Sequence, residues 1–178
     1  MRIERCFDVP KTTLFTYRSG LIPFLTTKDG ILVGIVRSLN GEEWVFPKGH
    51  IDPSDLDDPR ITAIREAQEE MGVRCVIIGS PITYIFNDPK PGTFTDFKII
   101  CSIYPAVVEG SVDQVDQRES EFLPIEEAYH KLSFPAHKIA LITASELYEV
   151  MLWQLQSCLE VKSEAEVESN RSTDHPSE

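Results

Sequence analysis

PKGHIDPSDLDDPRITAIREAQEEMGV, residues Pro47–Val73, decides how this chain reads. Its second half is a helix with marked ends. Asp58 is a good N-cap and Pro59 suits the first helical position. Ile61, Ile64, Ala67 and Met71 recur at helical spacing on one face, and Gly72 is a C-terminal stop. Glu66, Glu69 and Glu70, related by three and four residues, share another face. Like charges so spaced cost an isolated helix about 0.2–0.5 kcal/mol per pair. Glu69 and Glu70 also fall in the last turn, where the helix dipole disfavours anions by about 0.3–1 kcal/mol. Arg65 can pair with Glu69, but Arg ahead of Glu is the weaker orientation. Local rules broken at one spot are expected where a site needs the charges. A hard divalent cation would repair the repulsion, since Mg²⁺ prefers carboxylate and other oxygen ligands and keeps waters for a phosphate to replace. The plainer alternative is a solvated acidic helix face. Just ahead of the helix runs Lys48-Gly49-His50. Glycine permits close backbone approach to a ligand, and a neighbouring lysine can meet a phosphate as a point charge.

On the N-terminal side, Ser19–Thr27 is apolar and β-prone, Lys28-Asp29-Gly30 signals a turn, and Ile31–Arg37 makes a second strand of a hairpin. Trp44-Val45-Phe46 reads as a third strand, and Pro47 to Pro59 as a loop. Beyond the helix, Val73 to Phe86 returns to strand composition, interrupted at Gly79-Ser80-Pro81. A turn follows Asn87, then a strand from Phe94 to Val108, a polar loop from Glu109 to Ser120 and a short strand at Glu121-Phe122-Leu123. Helices from Pro124 to Leu132 and from Pro135 or Ala136 to about Leu159 close the chain. Strands, one helix, more strands and then helices imply a mixed α/β (α+β) domain with helices packed on a sheet.

The chain has 178 residues, enough for one domain with its own core. Its net charge of −12 argues against gripping nucleic-acid backbone, which needs a basic footprint. The segment after Leu159 holds six acids and two bases, so about −8 stays with the body. That segment has no aromatic and almost no large aliphatic residue and is expected as an acidic disordered tail over 161–178, behind a single domain over 1–160. Cys6, Cys75, Cys101 and Cys158 form no C-x-x-C pair, which reads as reduced, buried thiols in a cytoplasmic protein. His130 and His137 show no zinc-ligand spacing. No stretch has the length of a membrane helix, so no membrane partner is expected.

Arg65-Glu66-Ala67-Gln68-Glu69-Glu70-Met71-Gly72-Val73 resembles the second half of the Nudix box, R-E-U-x-E-E-x-G-U, with U aliphatic. Gly49 resembles the glycine that opens the box. Phe46-Pro47-Lys48-Gly49-His50 is similar to the approach to the box in the diadenosine tetraphosphate hydrolase-like (MutT-like) branch of the Nudix hydrolases. Glu121 to Ala128 resembles their late strand-to-helix segment. One departure stands out. The box has a glutamate five residues after the glycine and seven before the arginine. Here those counts land on Asp55 and Asp57, which implies a two-residue insertion and a shortened loop-supporting acid.

The resemblance implies a Nudix-type α/β/α sandwich with a mixed central β-sheet, and a metal-dependent pyrophosphohydrolase. Glu66 and Glu70 would bind Mg²⁺ or Mn²⁺, with the backbone carbonyl of Gly49. Glu69 is either a further ligand or an ion-pair partner of Arg65. Lys48 and His50 are candidates for substrate contact. The carboxylate that takes a proton from the attacking water is either one of Glu66, Glu69 and Glu70 or a late acid, Glu121 ahead of Glu119. Tyr84, Phe86, Phe94 and Phe97 could stack on a nucleotide base or simply fill the core. Tyr148 and Trp153 read as packing residues. The implied substrate is a small nucleoside diphosphate linked to another moiety, with dinucleoside polyphosphates favoured. Inositol pyrophosphates are less favoured because the body is acidic. The alternative is a catalytically impaired Nudix-fold nucleotide sensor. Monomer and homodimer both remain open.

Overall fold

β1 (Thr13–Thr27) is the spine of the sheet. The computed structural model describes residues 13–55, 58–87 and 96–172. Cys6, Asp57, Phe94 and most of the turn after Asn87 lie outside them. β1 pairs antiparallel with β2 (Gly30–Arg37) through the expected turn and parallel with β7 (Asp96–Ser111), Thr13 facing Asp96 and Phe24 facing Val107. β3 (Trp44–Val45) and β8 (Ser120–Pro124) add to β2, whereas β5 (Val73–Ile77) and β6 (Ile82–Asn87) add antiparallel to β7. The sheet is therefore mixed.

Side chains alternate across this sheet and build two cores. Ile22, Phe24, Ile35, Cys101 and Ile103 face α2 (Ile125–Lys131) and α3 (Pro135–Ser172), meeting Ala128, Leu132, Leu141 and Tyr148. Leu21, Val36, Val45, Tyr104 and Ala106 face α1 (Pro59–Met71), meeting Ala63, Ala67 and Met71. The result is the α/β/α sandwich that the resemblance implied. Tyr148 stacks on Phe24 with centroids 4.7 Å apart and shares a hydrogen bond with Thr26. Trp153 differs from expectation: it is two-thirds exposed on α3 and packs little. α3 itself continues to Ser172, past the Leu159 where its apolar pattern ends.

Two corrections bear on the site. β1 starts at Thr13, not Ser19, because Thr13 to Arg18 pairs in parallel with β7 while leaving Leu14, Phe15 and Tyr17 about half exposed. The loop expected from Pro47 contains a short strand, β4 (Lys48–His50), which pairs antiparallel with Arg18–Gly20 of β1. That pairing fixes Lys48-Gly49-His50 to the centre of the sheet.

α1 begins as its sequence dictates: the Asp58 carboxylate accepts from the Arg60 N–H at 3.1 Å. Gly72 ends it at φ 65°, a left-handed conformation that favours glycine, and its N–H donates to the Gln68 carbonyl. Between β4 and α1, Asp55 accepts a 2.9 Å hydrogen bond from the hydroxyl of fully buried Thr62. Asp55 thus ties the loop between β4 and α1 to the helix. Asp55→Ala should lower the unfolding free energy by about 1–2 kcal/mol, because it leaves a buried hydroxyl unsatisfied. Thr62→Val removes the donor too and should cost less. Urea denaturation measures both, and an unchanged midpoint in Asp55→Ala would contradict the tie.

Candidate active site

The acidic face of α1 lies against β4. Glu66 reaches back to Gly49 so closely that a Cβ there would stand 2.0 Å from the Glu66 Oε1. Only glycine lets the carboxyl sit on this backbone. Glu70, whose side chain is 3 % exposed, points the same way, and its Oε2 accepts from the Lys48 N–H at 3.1 Å. Arg65 spans the outer rim, pairing with Glu66 at 2.9 Å, Glu69 at 3.0 Å and Asp52 at 3.3 Å. Arg118 covers the inner side, with its Nη1 2.5 Å from the Glu70 Oε1. The repulsion read from the sequence is therefore relieved by two arginines, one local and one from a distant loop.

Lys48, Gly49, His50, Glu66 and Glu70 line one cleft of about 370 Å³, together with Arg18, Arg65 and Arg118. A larger cleft of about 670 Å³ adjoins it and shares Arg18, Ser38, Val45 and Lys48. Tyr84, Phe86, Phe134 and His137 give the larger cleft its aromatic wall. Burial pushes the Glu70 carboxyl up to about 7, against the pull of Arg118, and raises Glu66 as well. Burial also lowers the Lys48 amine and the His50 imidazole.

The remaining candidates sit apart. Glu69 is 40 % exposed and held by Arg65, outside both clefts. Glu121 lies on β8 and pairs with Lys131 at 2.5 Å beside the Trp44 ring, so the structure does not bring it to either cleft. Glu119 pairs with Arg37 at 3.3 Å in an open groove that also includes Arg118. Phe97 faces Leu14 across the sheet and lines neither cleft.

The donor set suits a hard divalent ion. Among the described residues no three His, Cys, Asp or Glu side chains converge into a metal cage. Mg²⁺ does not need one, since one or two carboxylates, water and substrate phosphates complete its shell. Glu66 seated on Gly49, with Glu70 beside it, supplies two largely buried carboxylates.

A family model for the NUDIX domain matches residues 17–143. The chain belongs to the NUDIX domain family. Hydrolases of this family act on pyrophosphate bonds of small nucleotide substrates and generally use divalent metals, and this chain falls in that enzyme class. Among curated proteins no sequence matches. Among solved structures, a C. elegans Ap4A hydrolase binary complex is similar at 18 % identity and TM-score 0.58, covering 75 % of this chain and 98 % of that one. A NUDIX-family hydrolase from Clostridium perfringens is similar at 16 % identity and TM-score 0.56, covering 76 % and 97 %. A Nudix hydrolase from M. smegmatis, RenU, is similar at 16 % identity and TM-score 0.54, covering 76 % and 87 %. At these identities the likeness concerns the fold.

Arg18, Arg118 and Phe134 line the clefts but were not singled out in the sequence. Arg18 sits at the end of the unrecognised half of β1, and Arg118 in a stretch that reads as polar loop. Phe134 precedes the proline that starts α3, where nothing separates a cleft aromatic from a core one. Among the described residues no helix is long and apolar enough to cross a membrane.

His137 is 2 % exposed and packed against Phe46, Tyr84 and Phe134, with ring centroids 5.4–5.6 Å away. Burial, reinforced by the nearby Lys48, lowers it to about 3, so it is neutral in the fold. The unfolded chain binds that proton near its ordinary value of about 6.5, and the folded one does not until about 3. Stability should therefore fall as pH drops through this window, by up to about 1.4 kcal/mol per pH unit from this one group. Chemical denaturation of wild type and His137→Phe between pH 7 and 4 measures it. The variant should show the shallower slope, and parallel curves would contradict a neutral His137.

Proposed function

We propose that this chain is a metal-dependent pyrophosphohydrolase that cleaves a phosphoanhydride bond in a nucleoside diphosphate linked to another moiety, with dinucleoside polyphosphates the best fit. The observation that carries this is the junction of two clefts at Arg18 and Lys48. One side offers aromatic faces for a base and the other offers carboxylates and cations for phosphates. A nucleotide laid across the junction would stack its base against Tyr84, Phe86 and Phe134 and carry its phosphates past Lys48 toward Glu66 and Glu70. Binding sites are typically apolar concavities with a few convergent polar groups, and this pair of clefts has that character.

Glu66 and Glu70, with the Gly49 carbonyl, would hold Mg²⁺ or Mn²⁺. A bound divalent ion neutralises phosphate charge and lowers the pKa of water. Lys48 and Arg18 orient the phosphate chain, and His50 stands at its edge. Water attacks phosphorus, the bridging oxygen leaves with the departing phosphate, and a carboxylate of the α1 face takes the water's proton. Among the sequence candidates an α1 acid is favoured for that role, since Glu121 is held by Lys131 outside both clefts. Cys75 and Cys101 are free and buried, which supports the expectation of a reducing, cytoplasmic setting.

The test is hydrolysis, with Mg²⁺, of a panel of dinucleoside polyphosphates, nucleotide sugars, nucleoside triphosphates and inositol pyrophosphates. Turnover strongest for dinucleoside polyphosphates supports the reading. Turnover confined to substrates without a nucleobase would overturn the role of the aromatic cleft.

A further inference from the structure

Arg118 has no part in the reaction as described, yet it touches the most buried acid of the site. Its Nη1 lies 2.5 Å from the Glu70 Oε1, and its Nε donates to the Asp116 Oδ2 at 2.7 Å. The backbone that carries it is pinned to the end of α1. The Asp116 N–H donates to the Glu69 carbonyl at 2.8 Å, and the Gln114 amide donates to the carbonyls of Glu70 and Arg118 at 2.7 and 2.9 Å. These bonds do not depend on what the Glu70 carboxylate holds. Arg65, the other arginine on the acidic face, is committed to three acids.

A carboxylate as buried as Glu70 needs a positive partner. In the structure Arg118 is that partner, on a carboxylate that a divalent ion would share. Two cations on one carboxylate repel each other, so the ion pair and the metal would compete. The guanidinium displaced in this way remains anchored by Asp116 at the wall of the phosphate cleft. Planar guanidinium donors match phosphate oxygens better than a point charge does.

We propose that Arg118 is a phosphate clamp released by the metal: it holds Glu70 in the metal-free chain and turns to a non-bridging phosphate oxygen of the substrate when a divalent ion takes Glu70. The proposal rests on reading this site as a cation-dependent pyrophosphohydrolase. It makes metal and phosphate binding mutually favourable, because each stabilises the position of Arg118 that the other requires.

The experiment measures binding, not turnover, on the full chain. Mn²⁺ affinity is measured by electron paramagnetic resonance of free Mn²⁺. ADP affinity is measured at saturating Mn²⁺ by calorimetry. Arg118→Gln should bind Mn²⁺ about tenfold more tightly than wild type and ADP about tenfold more weakly. Arg118→Lys, which keeps the charge but loses the planar donors anchored by Asp116, should move both affinities in the same directions by less. It also serves as the folded comparison if the glutamine variant unfolds. A purely structural arginine would weaken both ligands together when removed. Equal or weaker Mn²⁺ binding in both variants, or unchanged ADP affinity, overturns the clamp while leaving the site reading intact. Wild type that binds no Mn²⁺ overturns the site reading, and the clamp with it.

Discussion

Glu70→Gln should abolish nearly all hydrolysis, lowering kcat/KM by about 10³-fold, or roughly 4 kcal/mol of transition-state stabilisation. The replacement keeps side-chain volume and an oxygen that can accept from the Lys48 N–H. It removes the charge that a divalent ion and Arg118 both use. In stability the Arg118 guanidinium loses its shortest partner, while the neutral glutamine is spared the burial penalty that raises the Glu70 carboxyl. That loss is limited because Arg118 is one-fifth exposed and retains Asp116. Steady-state kinetics beside a thermal melt separates the two effects. A folded variant with activity within threefold of wild type would remove Glu70 from the mechanism.

Gly49→Ala should have the second-largest effect, and for a different reason. The new Cβ would stand 2.0 Å from the Glu66 Oε1 and 2.1 Å from its Cδ, so the carboxyl must leave its seat. The displaced group is the end of a flexible side chain, and the fold should lose about 1 kcal/mol or less. Activity should fall at least 10²-fold, because a metal ligand held an ångström out of place no longer serves. Mn²⁺ binding should weaken in parallel. Intact Mn²⁺ affinity with intact activity would show that the Gly49–Glu66 contact is packing alone.

Both variants lie in the stretch that the sequence made most legible, and the reason is local. An N-cap, a proline, an apolar period and a terminal glycine act between Asp58 and Gly72, so α1 could be bounded before its partners were known. The hairpin of β1 and β2 was legible for the same reason. β4 was not, because three residues carry no period and their pairing partner lies thirty residues earlier. Arg118 was invisible because its role depends on a loop folding back onto the end of α1, and an arginine among polar residues gives no hint of that. Glu121 shows the converse: its position before an apolar strand matched the resemblance, but Lys131 claims its carboxylate. Net charge was a poor guide to the cleft. The chain carries −12, yet Arg18, Lys48, Arg65 and Arg118 gather around the acids of α1. Overall acidity therefore does not disfavour densely charged substrates at this cleft.

Metal-dependent attack of water on a phosphoanhydride leaves the water's oxygen in a product phosphate. The most direct measurement incubates the wild-type chain with diadenosine tetraphosphate and Mg²⁺ in ¹⁸O-water and follows the label by mass spectrometry, with a chelator as control. Turnover should stop with the chelator and place one ¹⁸O in a phosphate of one product. Nucleotide binding that raises the melting temperature with no labelled product, here and across the substrate panel, would contradict it and mark the chain as a sensor.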